Sequence, residues 1–209
     1  MAEIKLVIFD CDGVMFDSKN ANLHFYNQIR TRFDHPPMDS DELEYVHMHH
    51  VMDSVNYIFR HWPAELKEAH RYRESLNYED FIKHMLIEPD LIEFLEEITP
   101  ACQTAISTNR TTTMSTLLDT FDLHKYFGLV VTALDVKNSK PHPDAILKIL
   151  DHFGLAVKDS IFIGDSIVDL EHAESVGMKM IAFKNQDLPA AYHVNSFMEI
   201  IRLPIFKIS

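Results

Sequence analysis

Apolar residues in this chain form short continuous runs, and these runs are separated by stretches with helical spacing. Runs such as Leu6–Phe9 and Ser160–Ile163 have the length and composition typical of strands buried on both faces of a sheet. Between them, apolar residues recur every three or four positions, as at Ile146, Ile149 and Phe153, which predicts helices. Strands that alternate with helices of about 10–15 residues predict an α/β fold with a doubly wound parallel sheet.

Five strands are expected from this pattern, and a short helix around Ser196–Ile201 is expected to close the fold. The strands are predicted at Leu6–Phe9, Thr104–Ile106, Leu129–Thr132, Ser160–Ile163 and Met178–Phe183, the last of which is the final strand.

The segment between Lys19 and Glu88 differs from the rest because it contains no strand pattern. Its helical spacing begins after Ser18, a residue type that favours helix N-termini, and continues to about Leu86. The sequence therefore predicts two domains. A Rossmann-like core comprises residues 1–16 and 88–209, and a small all-helical domain comprises the inserted residues 17–87.

Composition limits the classes of function. The chain has 209 residues, 46% of them hydrophobic and 24% charged, as in ordinary soluble globular proteins. The net charge of −13, without a run of Lys or Arg, argues against a nucleic-acid partner. No apolar segment approaches the length needed to cross a bilayer, and the N-terminus lacks a signal-peptide pattern. Two cysteines, Cys11 and Cys102, form no disulfide framework, so a cytoplasmic location is expected.

Two acids follow the first predicted strand. Asp10 and Asp12 stand one residue apart, and Gly13 comes directly after them. Carboxylates at the same end of a buried strand repel each other unless a cation or a proton intervenes. Taken alone, the pattern favours a polar strand end followed by an Asp-Gly turn.

Three of the other predicted strands are also followed by polar or charged residues that could take part in catalysis or binding. The second strand leads into Ser107-Thr108-Asn109, the third into a loop with Lys140-Pro141, and the fourth into Asp165, with Asp169 one helical turn later. Ligands of open parallel sheets bind at the carboxyl ends of the strands. We therefore expect four carboxylates, a hydroxyl donor and one lysine to meet at a single edge of the sheet.

Four short motifs occupy these positions. They read DCDGV at Asp10–Val14, STN at Ser107–Asn109, SKPHPD at Ser139–Asp144 and GDSIVD at Gly164–Asp169. Together and in this order they resemble the haloacid dehalogenase superfamily, in its phosphoglycolate phosphatase and phosphomutase branch. The resemblance covers essentially the whole chain, and the helical insert matches that family's cap domain.

The resemblance implies a division of roles among the acids. Asp10 would attack phosphorus and form an aspartyl-phosphate, and Asp12 would transfer protons as acid and then as base. Mg²⁺ would be held by Asp10, the backbone carbonyl of Asp12 and Asp165. Asp169 would bind a metal-bound water or orient Lys140, and Lys140 would offset the charge of nucleophile and phosphate.

The phosphate group would be bound by Thr108, Asn109 and Lys140, and Gly13 would let the backbone approach it closely. Ser107 would take the role of Thr108 if the strand register shifted by one residue. Arg110, beside the same motif, is a further candidate for contact with the substrate.

Histidines His47, His49 and His50 lie close together in the insert, and His47 and His50 would share a helix face. A metal site is one interpretation, but no cysteine or HExxH pattern accompanies them. Solvated or half-buried helix histidines are the favoured interpretation.

The function expected from these features is a magnesium-dependent phosphatase that hydrolyses a small phosphorylated metabolite, as a monomer or a homodimer. A sugar phosphomutase of the same fold is the first alternative, and a catalytically inactive binding or regulatory module is the second. The motifs do not identify the substrate, because specificity would reside in the insert.

Overall fold

The computed structural model describes residues 4–48 and 51–206, without the side chains of residues 47 and 48. The predicted histidine cluster at His47, His49 and His50 therefore lies outside the described side chains. The chain divides into two compact units: one contains Met1–Phe16 and Ile87–Ser209, and the other contains Asp17–Leu86.

The strands in chain order are β1 (Leu6–Phe9), β2 (Phe16–Asp17), β3 (Leu86–Ile87), β4 (Gln103–Ser107), β5 (Leu129–Val131), β6 (Ser160–Gly164), β7 (Met180–Phe183) and β8 (Tyr192–Val194). The first unit is built on a six-stranded sheet in which every pairing is parallel, with the order β5-β4-β1-β6-β7-β8, while β2 and β3 form a separate pair. The predicted doubly wound α/β fold is thereby confirmed.

Helices of the second unit are α1 to α5, and those of the first unit are α6 to α10. Their bounds are α1 (Lys19–Thr31), α2 (Ser40–Met48), α3 (Val51–Ile58), α4 (Leu66–Ser75), α5 (Glu79–Ile82), α6 (Leu91–Ile98), α7 (Met114–Thr120), α8 (Asp144–Phe153), α9 (Ile167–Glu174) and α10 (Phe197–Ile200). None of the helices in the described part of the chain is both long and apolar enough to cross a membrane.

Two predictions about strands were wrong. The segment between Lys19 and Glu88 was expected to hold no strand, but Leu86–Ile87 forms β3, which pairs with β2. Met178–Phe183 was expected to be the last strand, but Tyr192–Val194 follows as β8, parallel to β7. Strands of two or three residues are too short for an apolar alternation to be visible, and their pairing partners alone define them.

The register of the sheet brings three strand ends to one level. Phe9, the last residue of β1, is opposite Ile106 of β4 and Ile163 of β6. The residues that follow these positions therefore emerge together at the carboxyl edge of the sheet.

The central strand β1 is fully buried, as its continuous apolar run predicts. Leu6 and Ile8 join the core cluster on one face of the sheet. On the other face, Phe9 packs against the rings of Phe94 and Phe197, with centroids 6.1 and 6.0 Å away.

The helical unit has an aromatic core of its own. Phe25 of α1 contacts Tyr78 and Phe81 in edge-to-face geometry, with centroid distances of 5.2 and 5.3 Å. Beside it, Arg30 and Glu42 form a buried ion pair. Polar and aromatic side chains therefore share this small interior.

Replacing Phe94 by alanine is expected to lower the free energy of unfolding by about 3–5 kcal/mol, because the fully buried ring fills the core beneath β1. Ile92→Ala is the matched control on the same helix, since Ile92 is 41% exposed. Urea denaturation followed by circular dichroism measures both. Equal shifts for the two variants would contradict the assigned core.

Candidate active site

Strand ends place the first acid next to the fourth motif. The backbone N–H of Asp10, directly after β1, donates to the carbonyl of Ile163 in β6 at 2.9 Å. On the other side of β1, the N–H of Thr108 continues the pairing of β4 by donating to Val131 at 3.0 Å. Side chains from the first, second and fourth motifs thus meet at one edge of the sheet.

Lys140 joins two of the acids. Its Nζ donates to Asp10 Oδ1 at 2.6 Å and to Asp169 Oδ1 at 2.7 Å, and all three side chains are buried. Burial alone would lower the pKa of Lys140, but the charges of Asp10 and Asp169 raise it above its ordinary value. Lys140 is therefore a charged ammonium that bridges the two carboxylates.

Asp169 is held in place by the start of α9. Its Oδ2 accepts from the Ser166 hydroxyl at 2.7 Å and from the Ser166 N–H at 3.2 Å, and its own N–H donates back to Ser166 Oγ at 3.2 Å. This reciprocal arrangement is a capping box. Burial raises the pKa of Asp169, but Lys140 and the Ser166 bonds outweigh it and lower the pKa below the usual range.

Within the described residues, Asp10, Asp165 and Asp169 place one carboxylate oxygen each within 4.8 Å of the others. Burial and the charge of Asp169 raise the pKa of Asp10 to about 7, and burial and the charge of Asp10 raise that of Asp165 to about 8. One ammonium does not neutralise three carboxylates. A hard divalent cation with oxygen ligands, such as Mg²⁺, fits this donor set and its excess charge.

Asp12 lies apart from that cluster and is bound by an arginine. Arg110 donates from Nε to Asp12 Oδ2 at 2.7 Å and from Nη2 to Asp12 Oδ1 at 2.6 Å. Asp12 is half-buried and Arg110 nearly buried, with side chains 38% and 9% exposed. The motifs indicated Arg110 only as a candidate substrate contact, because nothing in the sequence shows which acid it faces.

Gly13 is required by a close approach. It has φ of +80°, and a Cβ at this position would lie 2.0 Å from Asp165 Oδ2. A side chain would therefore collide with the carboxylate that is expected to bind the metal.

The hydroxyls of Ser107 and Thr108 have different surroundings. Ser107 is fully buried, with Oγ 3.0 Å from Nε2 of His172. Thr108 Oγ1 accepts from the Arg110 N–H at 3.1 Å and retains its own proton to donate. Thr108 is the better candidate for a phosphate ligand of the two.

Asn109 holds the loop that carries Lys140. Its Oδ1 accepts from the Lys140 N–H at 3.0 Å, and its Nδ2 donates to the Lys140 carbonyl at 3.2 Å. The predicted contact between Asn109 and substrate stays a prediction, while the observed bonds orient the lysine backbone.

We expect Gly13→Ala to weaken Mg²⁺ binding at least about tenfold, because the new methyl group displaces the Asp165 carboxylate. Gly154→Ala is the control, since Gly154 also has a positive φ but its Cβ would meet nothing within 4 Å. That variant carries the backbone strain alone, about 1 kcal/mol. Isothermal titration calorimetry compares the two, and unchanged Mg²⁺ affinity in Gly13→Ala would contradict the assigned site.

Comparisons with known proteins agree with this geometry. The profile of the haloacid dehalogenase-like hydrolase family matches residues 7–183. The solved structure of a HAD-superfamily hydrolase, subfamily IA, variant 1, from Geobacter sulfurreducens is 37% identical, with a TM-score of 0.88 over 95% of each chain.

Curated relatives match smaller shares of their own length. A haloacid dehalogenase-like hydrolase domain-containing protein of Arabidopsis thaliana is 24% identical over an alignment of 216 positions that covers 87% of this chain and 68% of that protein. The phosphoglycolate phosphatase of Escherichia coli is 41% identical over 61 residues, which is 29% of this chain and 24% of that protein.

The superfamily predicted from the four motifs is thus confirmed by a match that covers most of the chain and by a solved structure that shares its fold. The chain belongs to the haloacid dehalogenase-like hydrolase family.

Proposed function

We propose that this protein is a Mg²⁺-dependent phosphatase that hydrolyses a small phosphorylated metabolite through an aspartyl-phosphate on Asp10. The proposal is carried by one observation: Lys140 bridges Asp10 and Asp169 inside a cluster of three acids whose charge it does not balance. It is supported by the relative named phosphoglycolate phosphatase.

Asp10 must be ionised to act as a nucleophile. In the absence of a cation, burial and neighbouring acids raise its pKa to about 7. Mg²⁺ bound to the carboxylates of Asp10 and Asp165 would offset charge on the phosphate oxygens and favour the ionised nucleophile. The Lys140 ammonium, which donates to Asp10 Oδ1, adds a fixed positive charge beside this carboxylate.

Asp12 is suited to proton transfer because it lies beside the cluster rather than within it. Its two bonds to Arg110 favour the carboxylate, the form that accepts a proton from the attacking water. A protonated Asp12 accepts poorly on its hydroxyl oxygen. One of the two bonds to Arg110 is therefore expected to break when Asp12 carries the proton destined for the leaving group.

Thr108, Lys140 and the backbone beside Gly13 are the groups assigned to the phosphate. Phosphoryl transfer depends mostly on positioning and charge compensation, which donors of this kind supply. The cytoplasmic location is part of the proposal and rests on Cys11 and Cys102, which are both buried and are not joined in a disulfide.

Phosphate release from p-nitrophenyl phosphate tests the proposal. Release is expected with Mg²⁺, none with EDTA, and a loss of at least about 10³-fold in Asp10→Asn, because the nucleophile is removed. Asp151→Asn is the control, since Asp151 is an exposed acid on α8. A broad panel of small phosphate esters extends the assay.

Absence of release from every ester would contradict the phosphatase. Consumption of a sugar phosphate without release of phosphate would instead indicate a phosphomutase.

Asp12→Asn is expected to accumulate phosphorylated Asp10 from p-nitrophenyl phosphate, because this leaving group needs no acid whereas hydrolysis of the intermediate needs the base. Intact-protein mass spectrometry after rapid quenching detects the added phosphoryl group, with Asp10→Asn as the unlabelled control. Complete loss of both half-reactions in Asp12→Asn would argue against the role assigned to Asp12.

A further inference from the structure

His172 is a fully buried histidine in α9 that has no part in the proposed chemistry. Each of its ring nitrogens meets a different motif. Nδ1 is 2.7 Å from the carbonyl oxygen of His142, in the loop after Lys140, and Nε2 is 3.0 Å from Ser107 Oγ at the end of β4. The imidazole therefore connects the second and third motifs to α9, the helix that carries Asp169 in its first turn.

Hydrogen-bond chemistry defines the tautomer. A carbonyl oxygen only accepts, so Nδ1 of His172 must carry the proton that it donates to His142. In the neutral ring Nε2 is then an acceptor, and the Ser107 hydroxyl donates to it. Burial and the nearby charge of Lys140 lower the pKa of His172 to about 4, so the ring is neutral near pH 7.

The loop that carries Lys140 is thereby held at two points. Asn109 bonds both the N–H and the carbonyl of Lys140, and His172 bonds the carbonyl of His142 two residues later. The N–H of His142 also donates to the carbonyl of Ser139 at 3.0 Å, which closes the turn formed by residues Ser139–His142. These bonds therefore hold the backbone on both sides of Lys140, independently of the bonds that its side chain makes to the acids.

Packing supports the same arrangement. The Phe162 ring of β6 meets His172 edge-to-face, with centroids 5.5 Å apart and planes at 87°. The Lys140 ammonium lies 5.8 Å from the centre of that ring. Phe162 thus packs against both the imidazole and the ammonium.

We propose that His172 is a positioning residue: it holds the Ser139–His142 turn so that the Lys140 ammonium stays between Asp10 and Asp169. The imidazole touches no reacting group. The effect of this positioning on kcat rests on the proposed function, whereas its effect on the position of the Lys140 ammonium does not.

Four variants separate the bond to the loop from simple packing. In His172→Asn the amide nitrogen takes the place of Nδ1 and keeps the donor to His142, while in His172→Gln the amide lies at the level of Nε2 and faces Ser107. His172→Leu fills the space without either bond, and Ser107→Ala removes only the bond to Nε2.

The expected result is a fall in kcat of about tenfold in His172→Leu and His172→Gln, with KM changed less than about twofold. His172→Asn should restore kcat to within about threefold of wild type, and Ser107→Ala should remain near wild type. Equal kcat in His172→Asn and His172→Gln, or a loss in every variant that follows only its melting temperature, would overturn the proposal. If His172→Leu does not fold, the comparison of Asn with Gln decides it.

Crystal structures of His172→Asn and His172→Gln provide a readout that needs no activity. The contact between Lys140 Nζ and Asp10 Oδ1, 2.6 Å here, should persist in the first and lengthen in the second. An unchanged contact in both would overturn the positioning role, even if the wild-type protein is an active phosphatase. An inactive wild type with the expected change in this contact would reject the proposed function alone.

Discussion

The ion pair between Lys140 and the two acids Asp10 and Asp169 is the constraint on which the site depends. Burial of three carboxylates within 4.8 Å of one another is unfavourable, and one ammonium offsets only part of that charge. The remaining negative charge makes the site a strong candidate for a divalent cation. Without the lysine, the pKa values of Asp10 and Asp169 would both be higher, because the Lys140 ammonium lowers both.

The parallel sheet provides the geometry that this charge cluster requires. Register between β1 and β6 places Asp10 beside the start of the fourth motif, and the capping box of α9 then directs Asp169 toward Lys140. Gly13 leaves space for Asp165 where any side chain would collide. The backbone thus positions the acids, and the side chain of Lys140 then joins Asp10 to Asp169.

Asp12 illustrates how environment distinguishes two acids of the same motif. Asp10 is buried among carboxylates and bound by Lys140. Asp12, in contrast, is half exposed and accepts hydrogen bonds from Nε and Nη2 of Arg110. Two residues along the chain thus separate a buried carboxylate that contacts an ammonium from a half-exposed one that contacts a guanidinium. Arg110 therefore binds a carboxylate of the protein itself.

The sequence by itself predicted five of the six strands of the sheet, among them the buried central strand, and the residues that follow these strands, because apolar runs and turn-forming residues act over a few positions. It also placed Asp10, Lys140, Asp165 and Asp169 at one edge, since parallel strands share their carboxyl ends. Only the tertiary structure decided that Arg110 binds Asp12, that Asn109 and His172 hold the lysine loop, and that Tyr192–Val194 extends the sheet. Those contacts join residues far apart in the chain, and no local pattern records which distant partner a side chain meets.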